Sequence, residues 1–275
     1  MAAPALSATL VTYRPEPELL GRALASLAAS ALRAREEGLL GELSVFVVDN
    51  GPEAEREVVR HAMAAWPASS GKLELIAGQG NVGYGRANNL VLGRTARDFH
   101  LVMNPDVELD REALAAGLRV LAMRPDAGLL APDARGEDGE RQYLSKRYPS
   151  PWVLFLRGFA PCALRKRNAN ALARYEMRDV VDRGEIAPVL LASGCFMLMR
   201  SSLFERLRGF DPRYFLYFED YDLSLRMGRE AAVLFVPSMR IVHHGGEAAR
   251  KGLRHVTWFI GSARRFFATH GWKIA

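Results

Sequence analysis

Residues 43–51 read LSVFVVDNG, a run of β-branched and aromatic residues that stops at an acidic turn. A short apolar run that ends in Asp, Asn and Gly is typical of a buried strand followed by a tight turn. A second β-prone run precedes it at residues 6–12, and leucines and alanines at helical spacing over residues 19–27 separate the two. This order predicts two parallel strands joined by a helical crossover.

The same alternation continues downstream. Residues 54–65 fit a helix and residues 73–77 a third strand, after which a glycine-rich loop leads into a helix over residues 85–92. A fourth strand is expected at residues 100–103 and another helix at residues 111–123. The order predicts an α/β fold with a Rossmann-like, mostly parallel central sheet and helices on both faces. Ligands of such sheets bind at the carboxyl ends of the strands.

The second half of the chain is less regular. Residues 132–187 mix turns, basic residues and aromatics, and no element is predicted there. Residues 189–199 form a buried run interrupted by a Ser-Gly pair, residues 232–236 a strand, and residues 256–268 an amphipathic helix. We expect one domain with a variable second half.

Composition narrows the class of protein. Hydrophobic residues make up 49% of the 275 residues and charged residues 25%, so a packed core is expected. The two cysteines, Cys162 and Cys195, have no CxxC spacing, which argues against a disulfide framework or structural zinc and fits a reducing cytosol. The N-terminal stretch has no basic region, so no secretory signal is expected, and the longest apolar run is too short to span a bilayer.

Positive charge is concentrated in two segments. Residues 141–183 hold ten Lys and Arg against three acids, and residues 250–275 hold six against none, whereas the remainder is net negative. Such segments attract the phosphates of nucleic acid, acidic lipid or a phosphorylated substrate, or they form an ordinary solvated surface. The sequence leaves both readings open.

Two polar motifs follow the second and third strands. Asp49 in VVDNG could accept a hydrogen bond from the imide N–H of uracil or thymine, or simply close a turn. The loop GQGNVGYGRANN carries Gly78, Gly80, Gly83 and Gly85 before a helix, where the backbone can approach an anion closely. Its GxGxxG spacing is a weak match to dinucleotide-binding loops, because it follows the third strand rather than the first.

Two acidic motifs are candidates for chemistry. Asn104 and Asp106 in MNPD end a strand, where a carboxylate beside a diphosphate can hold Mg²⁺ or Mn²⁺, although Asn-Pro and Pro-Asp are also turn dipeptides. Glu219, Asp220 and Asp222 lie within four residues of one another. Crowded carboxylates raise one another's pKa, which suits a general base, and acids are also favoured at a helix start by the dipole.

His243 and His244 precede a pair of glycines in IVHHGG. Imidazole can ligate a metal or contact phosphate, and a histidine in such a place can equally be structural. The pattern does not say which of the two histidines would be functional.

Taken in order, the motifs TYRP, VVDNG, GNVGYGRANN, MNPD, ASGCFMLMR, GFDPRYFLYFEDYDLSLR and IVHHGG resemble those of family-two inverting glycosyltransferases with a GT-A fold, over nearly the whole chain. The pattern most closely resembles bacterial rhamnosyltransferases that use dTDP-L-rhamnose. The resemblance implies a nucleotide-sugar donor, Mg²⁺ or Mn²⁺ as cofactor, and a metal-dependent single displacement at the anomeric carbon.

The resemblance also assigns roles by position. Asp220 matches the catalytic base, with Glu219 orienting it or the acceptor, and Asp106 and His243 match the metal site. The implied nucleotide-sugar-binding residues are Thr12, Tyr13, Arg14, Asp49, Asn81, Gly83, Gly85, Asn104 and Asp106. The implied acceptor-side residues are Gly194, Cys195 and Asp222.

The chain departs from the family pattern at two places. Asn104 replaces the first acid of the usual DxD-type metal motif, so metal binding is expected to rest mainly on Asp106. Relatives often carry a serine a few residues after the histidine, and Glu247, Ala248 and Ala249 occupy that stretch here.

The resemblance implies a single glycosyltransferase domain over residues 1–275. Residues 1–130 would bind the nucleotide sugar, residues 131–250 would supply the acceptor-binding and catalytic half, and residues 251–275 would form a C-terminal amphipathic helix. The expected acceptor is a saccharide or a polyprenyl-linked saccharide of cell-wall or lipopolysaccharide synthesis. Apolar and basic residues mix in residues 152–167 and in the C-terminal WFIGSARRFF, so we expect a cytoplasmic protein with a peripheral contact on the inner face of the membrane, unless these stretches serve ordinary packing.

Two other functions are weighed. A nucleotidyltransferase that makes the nucleotide sugar shares the sheet and the metal chemistry, but such enzymes usually place a glycine-rich basic loop after the first strand, where this chain has TYRPEPE. A nucleic-acid-binding protein would use the basic segments, yet no helix-turn-helix, zinc-finger or RNP-type motif occurs, so no nucleic-acid partner is expected.

Overall fold

The computed structural model describes residues 3–245 and 252–273. Twelve strands and eleven helices are found in these residues. The strands are β1 (Leu6–Thr12), β2 (Leu43–Asp49), β3 (Lys72–Ala77), β4 (Phe99–Met103), β5 (Val107–Leu109), β6 (Ala127–Arg135), β7 (Arg141–Gln142), β8 (Ser145–Lys146), β9 (Ala187–Pro188), β10 (Leu191–Ala192), β11 (Phe196–Arg200) and β12 (Ala232–His243). The helices are α1 (Pro17–Glu36), α2 (Arg56–Met63), α3 (Tyr84–Asn88), α4 (Ala113–Met123), α5 (Pro151–Gly158), α6 (Cys162–Arg167), α7 (Ala169–Tyr175), α8 (Arg178–Val181), α9 (Ser201–Arg206), α10 (Glu219–Met227) and α11 (Leu253–His270).

One large sheet runs through the molecule in the order β3-β2-β1-β4-β11-β6-β12-β5, with β7 and β9 attached at its side. Strands β1 to β4 pair in parallel, β11 pairs antiparallel to both β4 and β6, and β12 is parallel to β6. Most long strands therefore point the same way. The predicted α/β fold with a mostly parallel sheet is confirmed, and strands from both halves of the chain share this sheet.

Strands β1, β2 and β4 are buried on both faces, whereas the edge strand β3 is partly exposed. Leu6 and Leu10 of β1 pack in the main core with Leu20 and other apolar residues of α1. On the opposite face, Val11 packs with Ala87 of α3 in a second cluster. Burying each such Leu or Val contributes about 1.5–3 kcal/mol. Because both faces are buried, these strands are continuous apolar runs rather than alternating ones.

The second half contains the elements that the sequence did not predict. Strand β6 crosses residue 130, and the unassigned stretch holds β7, β8, four short helices and β9. The run at residues 189–199 is divided into β10 and β11 by a turn at its Ser-Gly pair, and β12 continues past residue 236 to His243 through a register shift. This extension is what brings His243 back to the edge where the other motifs lie.

Helix α11 packs on α10 through its aromatic face. Phe266 and Phe267 are buried in a cluster with Tyr214, Phe218 and other aromatics, and Ser262 Oγ donates to the carbonyl of Leu216 at 2.8 Å. The aromatic face of WFIGSARRFF therefore takes part in core packing, whereas Ile260, Arg264 and Arg265 are exposed, so a membrane contact of this stretch stays a prediction. None of the helices in the described part of the chain combines the length and apolar character needed to cross a bilayer.

Candidate active site

A pocket of about 540 Å³ opens at the carboxyl ends of β1 and β2. Its lining comes from the end of β1, the loop before α3, the segment before α10, and the start of α11. The lining residues are Val11, Thr12, Tyr13, Asn50, Asn81, Gly83, Tyr84, Phe215, Leu216, Gly252, Arg254, His255 and Trp258. The position matches the edge at which parallel sheets bind nucleotides.

Thr12 and Asp49 form a pair at the floor of this region. The Thr12 hydroxyl and the Gly51 N–H both donate to Asp49 Oδ1, at 3.0 and 2.9 Å, so the buried carboxylate is held in one orientation. Tyr13 is half exposed and lines the pocket. Arg14 has a left-handed backbone, and its side chain pairs with Glu55 at 3.3 Å. Arg14 does not line the pocket.

Gly83 and Gly85 are required by packing against the segment before α10. A Cβ on Gly83, whose φ is +90°, would lie 2.3 Å from the carbonyl oxygen of Phe215. A Cβ on Gly85 would lie 2.9 Å from the Cβ of Phe210. Asn81 closes the loop as its Oδ1 accepts from the Gly83 N–H at 3.1 Å. The loop is thus fixed to the segment before α10, and of the two glycines only Gly83 lines the pocket.

The turn at the start of β11 connects three of the predicted motifs. The Gly194 N–H donates to Asp220 Oδ2 at 2.9 Å, and the Gly194 carbonyl accepts from the Tyr84 hydroxyl at 2.6 Å. The next carbonyl, of Cys195, accepts from the Asn104 N–H at 2.8 Å. The Cys195 thiol itself is buried in the core, which raises its pKa to about 12, so this residue acts through its backbone rather than as a reactive thiol.

Glu219 and Asp220 are the first two residues of α10, and their carboxyl groups have different environments. Asp220 accepts N–H groups on both oxygens, from Gly194 and from Tyr221 at 2.9 Å. Glu219 is buried, and its Oε2 has no hydrogen-bond partner within the described residues. Burial, followed by the charge of Asp220, raises the pKa of Glu219 to about 8, and burial also raises the pKa of Asp220. The two N–H groups favour negative charge on Asp220, and that charge together with burial favours the protonated form of Glu219.

The pH dependence of stability in a Glu219→Gln variant should report on the protonation of Glu219. A carboxyl whose pKa is higher in the folded than in the unfolded chain loses stability as pH rises from its ordinary value towards about 8. The variant cannot ionise, so its stability relative to wild type should rise between pH 5 and 8 by up to roughly 3 kcal/mol. Denaturant unfolding across that pH range measures the slope. The exposed Glu57→Gln serves as the matched control, and a Glu219→Gln slope equal to that of wild type would contradict the assignment.

Asp222, which the resemblance assigns to the acceptor side, has different partners from Asp220 and Glu219, and its assignment stays a prediction. Its buried carboxylate pairs with Arg226 Nε and with His270 Nε2, each at 2.8 Å. Residues two apart on a helix point about 200° apart, so Asp220 and Asp222 face different sides of α10. Asp222 ties α10 to α11.

Asp106 and His243 face each other across the end of the sheet. The distance from Asp106 Oδ1 to His243 Nε2 is 3.7 Å. His243 Nδ1 contacts Gln142 Oε1 at 2.7 Å, and because an amide oxygen only accepts, Nδ1 carries a hydrogen and Nε2 is the ring nitrogen that faces Asp106. His244 instead lies between Glu108 and Glu137, bound to both. The structure thus selects His243 as the candidate ligand and gives His244 a structural role.

The surroundings of this pair fit a divalent cation. Asp106 Oδ1 is buried and has no hydrogen-bond partner among residues 3–245 and 252–273. A Cβ on Gly245 would lie 2.3 Å from Asp106 Oδ2 and 3.1 Å from His243 Nε2, so glycine keeps the space beside both ligands open. No cluster of three or more ligating side chains occurs in the described ranges. Two protein ligands suit Mg²⁺ or Mn²⁺, whose remaining positions are commonly filled by phosphate oxygens and water. The stretch Glu247–Ala249 lies outside the described residues, as does Gly246.

A family model for glycosyl transferase family 2 matches residues 7–208 of the chain. The chain is a family 2 glycosyltransferase. The match begins in β1 and ends after α9, so it includes Asp49, the glycine-rich loop, Asp106 and Gly194, whereas the base candidate Asp220 and His243 lie beyond it.

Two curated relatives of this glycosyltransferase are rhamnosyltransferases. The N-acetylglucosaminyl-diphospho-decaprenol L-rhamnosyltransferase of Mycobacterium tuberculosis is 31% identical over 255 residues, covering 87% of this chain and 76% of that protein. The rhamnosyltransferase WbbL of Escherichia coli K12 is 26% identical over 209 residues, covering 71% of this chain and 74% of that protein.

Solved structures share the fold at low identity. A mannosyltransferase from Pyrobaculum calidifontis in complex with GDP-Man and Mn²⁺ superposes with a TM-score of 0.60 at 16% identity, over 96% of this chain and 65% of that one. GalNAc-T7 with UDP, GalNAc and Mn²⁺ gives a TM-score of 0.64 at 14% identity, over 97% of this chain and 48% of that one. The glycosyltransferase thus spans less than two thirds of either structure. The likeness establishes the GT-A fold.

Several residues of the site were not predicted from the sequence. Gln142, in the two-residue strand β7, orients His243. Tyr84 joins the end of the glycine-rich loop to the Gly194 turn. Trp258 and His255 bring α11 to the pocket, where His255 Nδ1 contacts the Tyr217 hydroxyl at 2.8 Å. Tyr84 could have been predicted from its place in the glycine-rich motif GNVGYGRANN, whereas no local sequence pattern distinguishes Gln142.

Proposed function

We propose that this glycosyltransferase moves L-rhamnose, with inversion, from dTDP-L-rhamnose to a hydroxyl of a lipid-linked saccharide in cell-surface polysaccharide synthesis. The observation that carries the reaction type is the Gly194 turn, whose N–H holds Asp220 while the neighbouring Cys195 carbonyl binds the turn that ends in Asp106. One short segment therefore sets the candidate base against the candidate metal site. The choice of sugar and acceptor is supported by the two related rhamnosyltransferases.

In the proposed mechanism the base and the leaving group lie on opposite sides of the Gly194 turn. Asp220 takes the proton of the acceptor hydroxyl, the acceptor oxygen forms its bond to the anomeric carbon, and the bond from that carbon to the diphosphate breaks with its electron pair. A single displacement inverts the anomeric centre. Glu219 stays protonated and leaves the charge on Asp220.

The donor side is proposed on residues 1–130 together with α11. Thr12 and Asp49 would receive the base, Tyr13 and Asn81 line its pocket, and Asp106 with His243 would hold Mg²⁺ or Mn²⁺. The bound ion would offset charge on the departing diphosphate. Residues 131–250 would provide the acceptor side.

A membrane-bound acceptor is supported by the surface of α5 and α6. Trp152, Phe155 and Phe159 are each 40% exposed or more, and they recur at i, i+3 and i+7 on one face of the chain. The exposed α6 beside them ends in Arg-Lys-Arg. Aromatic side chains next to basic ones suit an anionic membrane interface, and we therefore propose a peripheral contact on the inner face of the membrane.

The experiment that tests the function is a donor panel followed by a transfer assay. Thermal melts with dTDP-L-rhamnose, UDP-glucose and GDP-mannose are compared, each with Mn²⁺, Mg²⁺ or EDTA. A ligand at about a hundredfold excess over its Kd stabilises the fold by roughly 2.7 kcal/mol. We expect a metal-dependent shift with dTDP-L-rhamnose, and rhamnosyl transfer to a short-chain prenyl-diphosphate N-acetylglucosamine. A shift and transfer with another donor alone would discard rhamnose, and pyrophosphate release from dTTP and a sugar phosphate would indicate a nucleotidyltransferase.

A further inference from the structure

The side chain of Tyr84 extends from the donor pocket to the turn that holds the candidate base. Tyr84 is the first residue of α3 and lines the pocket at the carboxyl ends of β1 and β2. Its hydroxyl donates to the carbonyl of Gly194 at 2.6 Å, and the N–H of the same glycine donates to Asp220 Oδ2 at 2.9 Å. A single residue therefore connects the pocket wall to the base.

Gly194 packs closely against both side chains. A Cβ at this position would lie 3.1 Å from the Cβ of Asp220 and 3.4 Å from Cε1 of Tyr84. Because 3.1 Å is closer than most Cβ atoms approach another carbon, a side chain here would displace the base. Glycine thus lets the backbone of the turn approach Asp220 and the Tyr84 ring at once.

The sheet fixes only one end of this turn. The Cys195 carbonyl accepts from the Asn104 N–H at 2.8 Å, which continues the ladder between β11 and β4. Gly194 lies outside that ladder, and its carbonyl accepts from the Tyr84 hydroxyl instead. Loss of the hydroxyl should therefore loosen the turn beside Asp220 and leave the end beside Asn104 paired.

Tyr84 is itself held from several directions. Its N–H donates to the Phe215 carbonyl at 3.0 Å, and its carbonyl accepts from Asn88 Nδ2 at 3.1 Å. Its ring meets that of Phe210 edge to face, with the ring centroids 6.1 Å apart. Burial raises the pKa of the Tyr84 phenol, so the hydroxyl keeps its proton and acts as a donor. A side chain held in this way can keep the turn in one place.

We propose that Tyr84 is a positioning residue of the transfer reaction, whose hydroxyl fixes the Gly194 turn and, through it, the base Asp220 against the donor pocket. This inference rests on the proposed function and adds a residue to which the resemblance gives no role. In a single displacement the acceptor oxygen must lie in line with the bond that breaks, so the base must be held in register with the bound donor. Tyr84 provides this register because it belongs to the pocket wall and also binds the turn.

The test compares kcat with nucleotide affinity in Tyr84→Phe, which keeps the ring and removes only the hydroxyl. With the most active donor of the panel, we expect kcat to fall about tenfold and the nucleotide Kd to stay within about twofold of wild type, because a misplaced base slows the chemistry without removing a donor contact. Tyr148→Phe is the matched control: it removes a hydroxyl that donates to the Gly271 carbonyl at 2.5 Å, at a residue that does not line the pocket, and should keep the wild-type kcat. A wild-type kcat in Tyr84→Phe, or a parallel loss of kcat and nucleotide affinity, would overturn the inference.

A double-mutant cycle tests whether Tyr84 acts through the base. In an Asp220→Asn background Tyr84→Phe should have little further effect on kcat, since the residue that it positions has already lost its function. An equal loss in both backgrounds would mean that Tyr84 acts on the substrate directly, and would reject the positioning role.

Hydrogen exchange separates this inference from the proposed function, because it needs no sugar transfer. Amides of residues 193–195 should exchange faster in Tyr84→Phe than in Tyr148→Phe or wild type. Unchanged exchange would overturn the inference even in an enzyme that transfers rhamnose. Faster exchange in a protein that transfers a different sugar would reject rhamnose as the donor and leave the role of Tyr84 standing.

Discussion

Asp220→Asn is expected to lower kcat by about 10²–10⁴-fold, the usual contribution of a positioned general base. The amide cannot accept the acceptor proton, whereas the donor pocket, formed by other residues, should bind nucleotide as before. Steady-state kinetics with the best donor and acceptor measure kcat, and calorimetry measures donor affinity.

The control for this variant must separate chemistry from folding. Asp220 accepts one N–H on each oxygen, so the new NH₂ must face one of these donors, and some loss of stability is expected. Asp126→Asn makes the same change in an exposed ion pair with Arg124, directly before β6. Asp126 therefore lies at the amino end of that strand, whereas the pocket lies at the carboxyl ends of β1 and β2, and kcat should not change. A kcat near wild type in a folded Asp220→Asn protein would remove Asp220 as the base.

Asp106→Ala is expected to abolish the metal-dependent part of donor binding and to lower kcat/KM by about 10³-fold, equivalent to roughly 4 kcal/mol of lost charge stabilisation. The reason is that its buried Oδ1 has no hydrogen-bond partner among the described residues and lies 3.7 Å from His243 Nε2, the other candidate ligand. Binding of dTDP is measured by calorimetry with Mn²⁺ and with EDTA, and activity is titrated with Mn²⁺.

Two further variants test whether the effect of Asp106→Ala is due to a bound metal. Gln142→Ala frees the His243 ring without removing a ligand, and should cost about 10–100-fold in Mn²⁺ affinity. His244→Asn removes the neighbouring histidine, which is bound to two glutamates, and should keep the wild-type Mn²⁺ dependence. Equal activity of wild type in EDTA and in Mn²⁺ would reject a metal at Asp106.

The parts of the fold that the sequence predicted are those with a strong local signal. Strand β2, which ends at Asp49, is buried on both faces and reads as an apolar run closed by a turn, so its bounds follow within one residue. Residues 132–187 fold instead into strands of two residues and helices of four to eight, which are too short to show a period. Their structure depends on contacts with distant segments, which no local pattern records.

The candidate site also combines residues that the sequence predicted with residues that it did not. Asp106 was a candidate from its place after a strand and Asp220 from the resemblance to the family, and the structure links both motifs to the Gly194 turn, through the Asn104 N–H and through Asp220 itself. Gln142 lies 101 residues from His243, and a single glutamine in a turn-rich stretch gives no signal. The contact of Asp222 with His270 could not be read from the sequence, because residues close together on a helix need not face the same way.

The pocket takes one side from β1 and another from residues 252–258, which are far apart along the chain. A nucleotide that contacts both sides would bind only the arrangement in which the start of α11 is packed beside β1. A ligand that binds one arrangement alone stabilises it by mass action, so donor binding would also hold α11 in place.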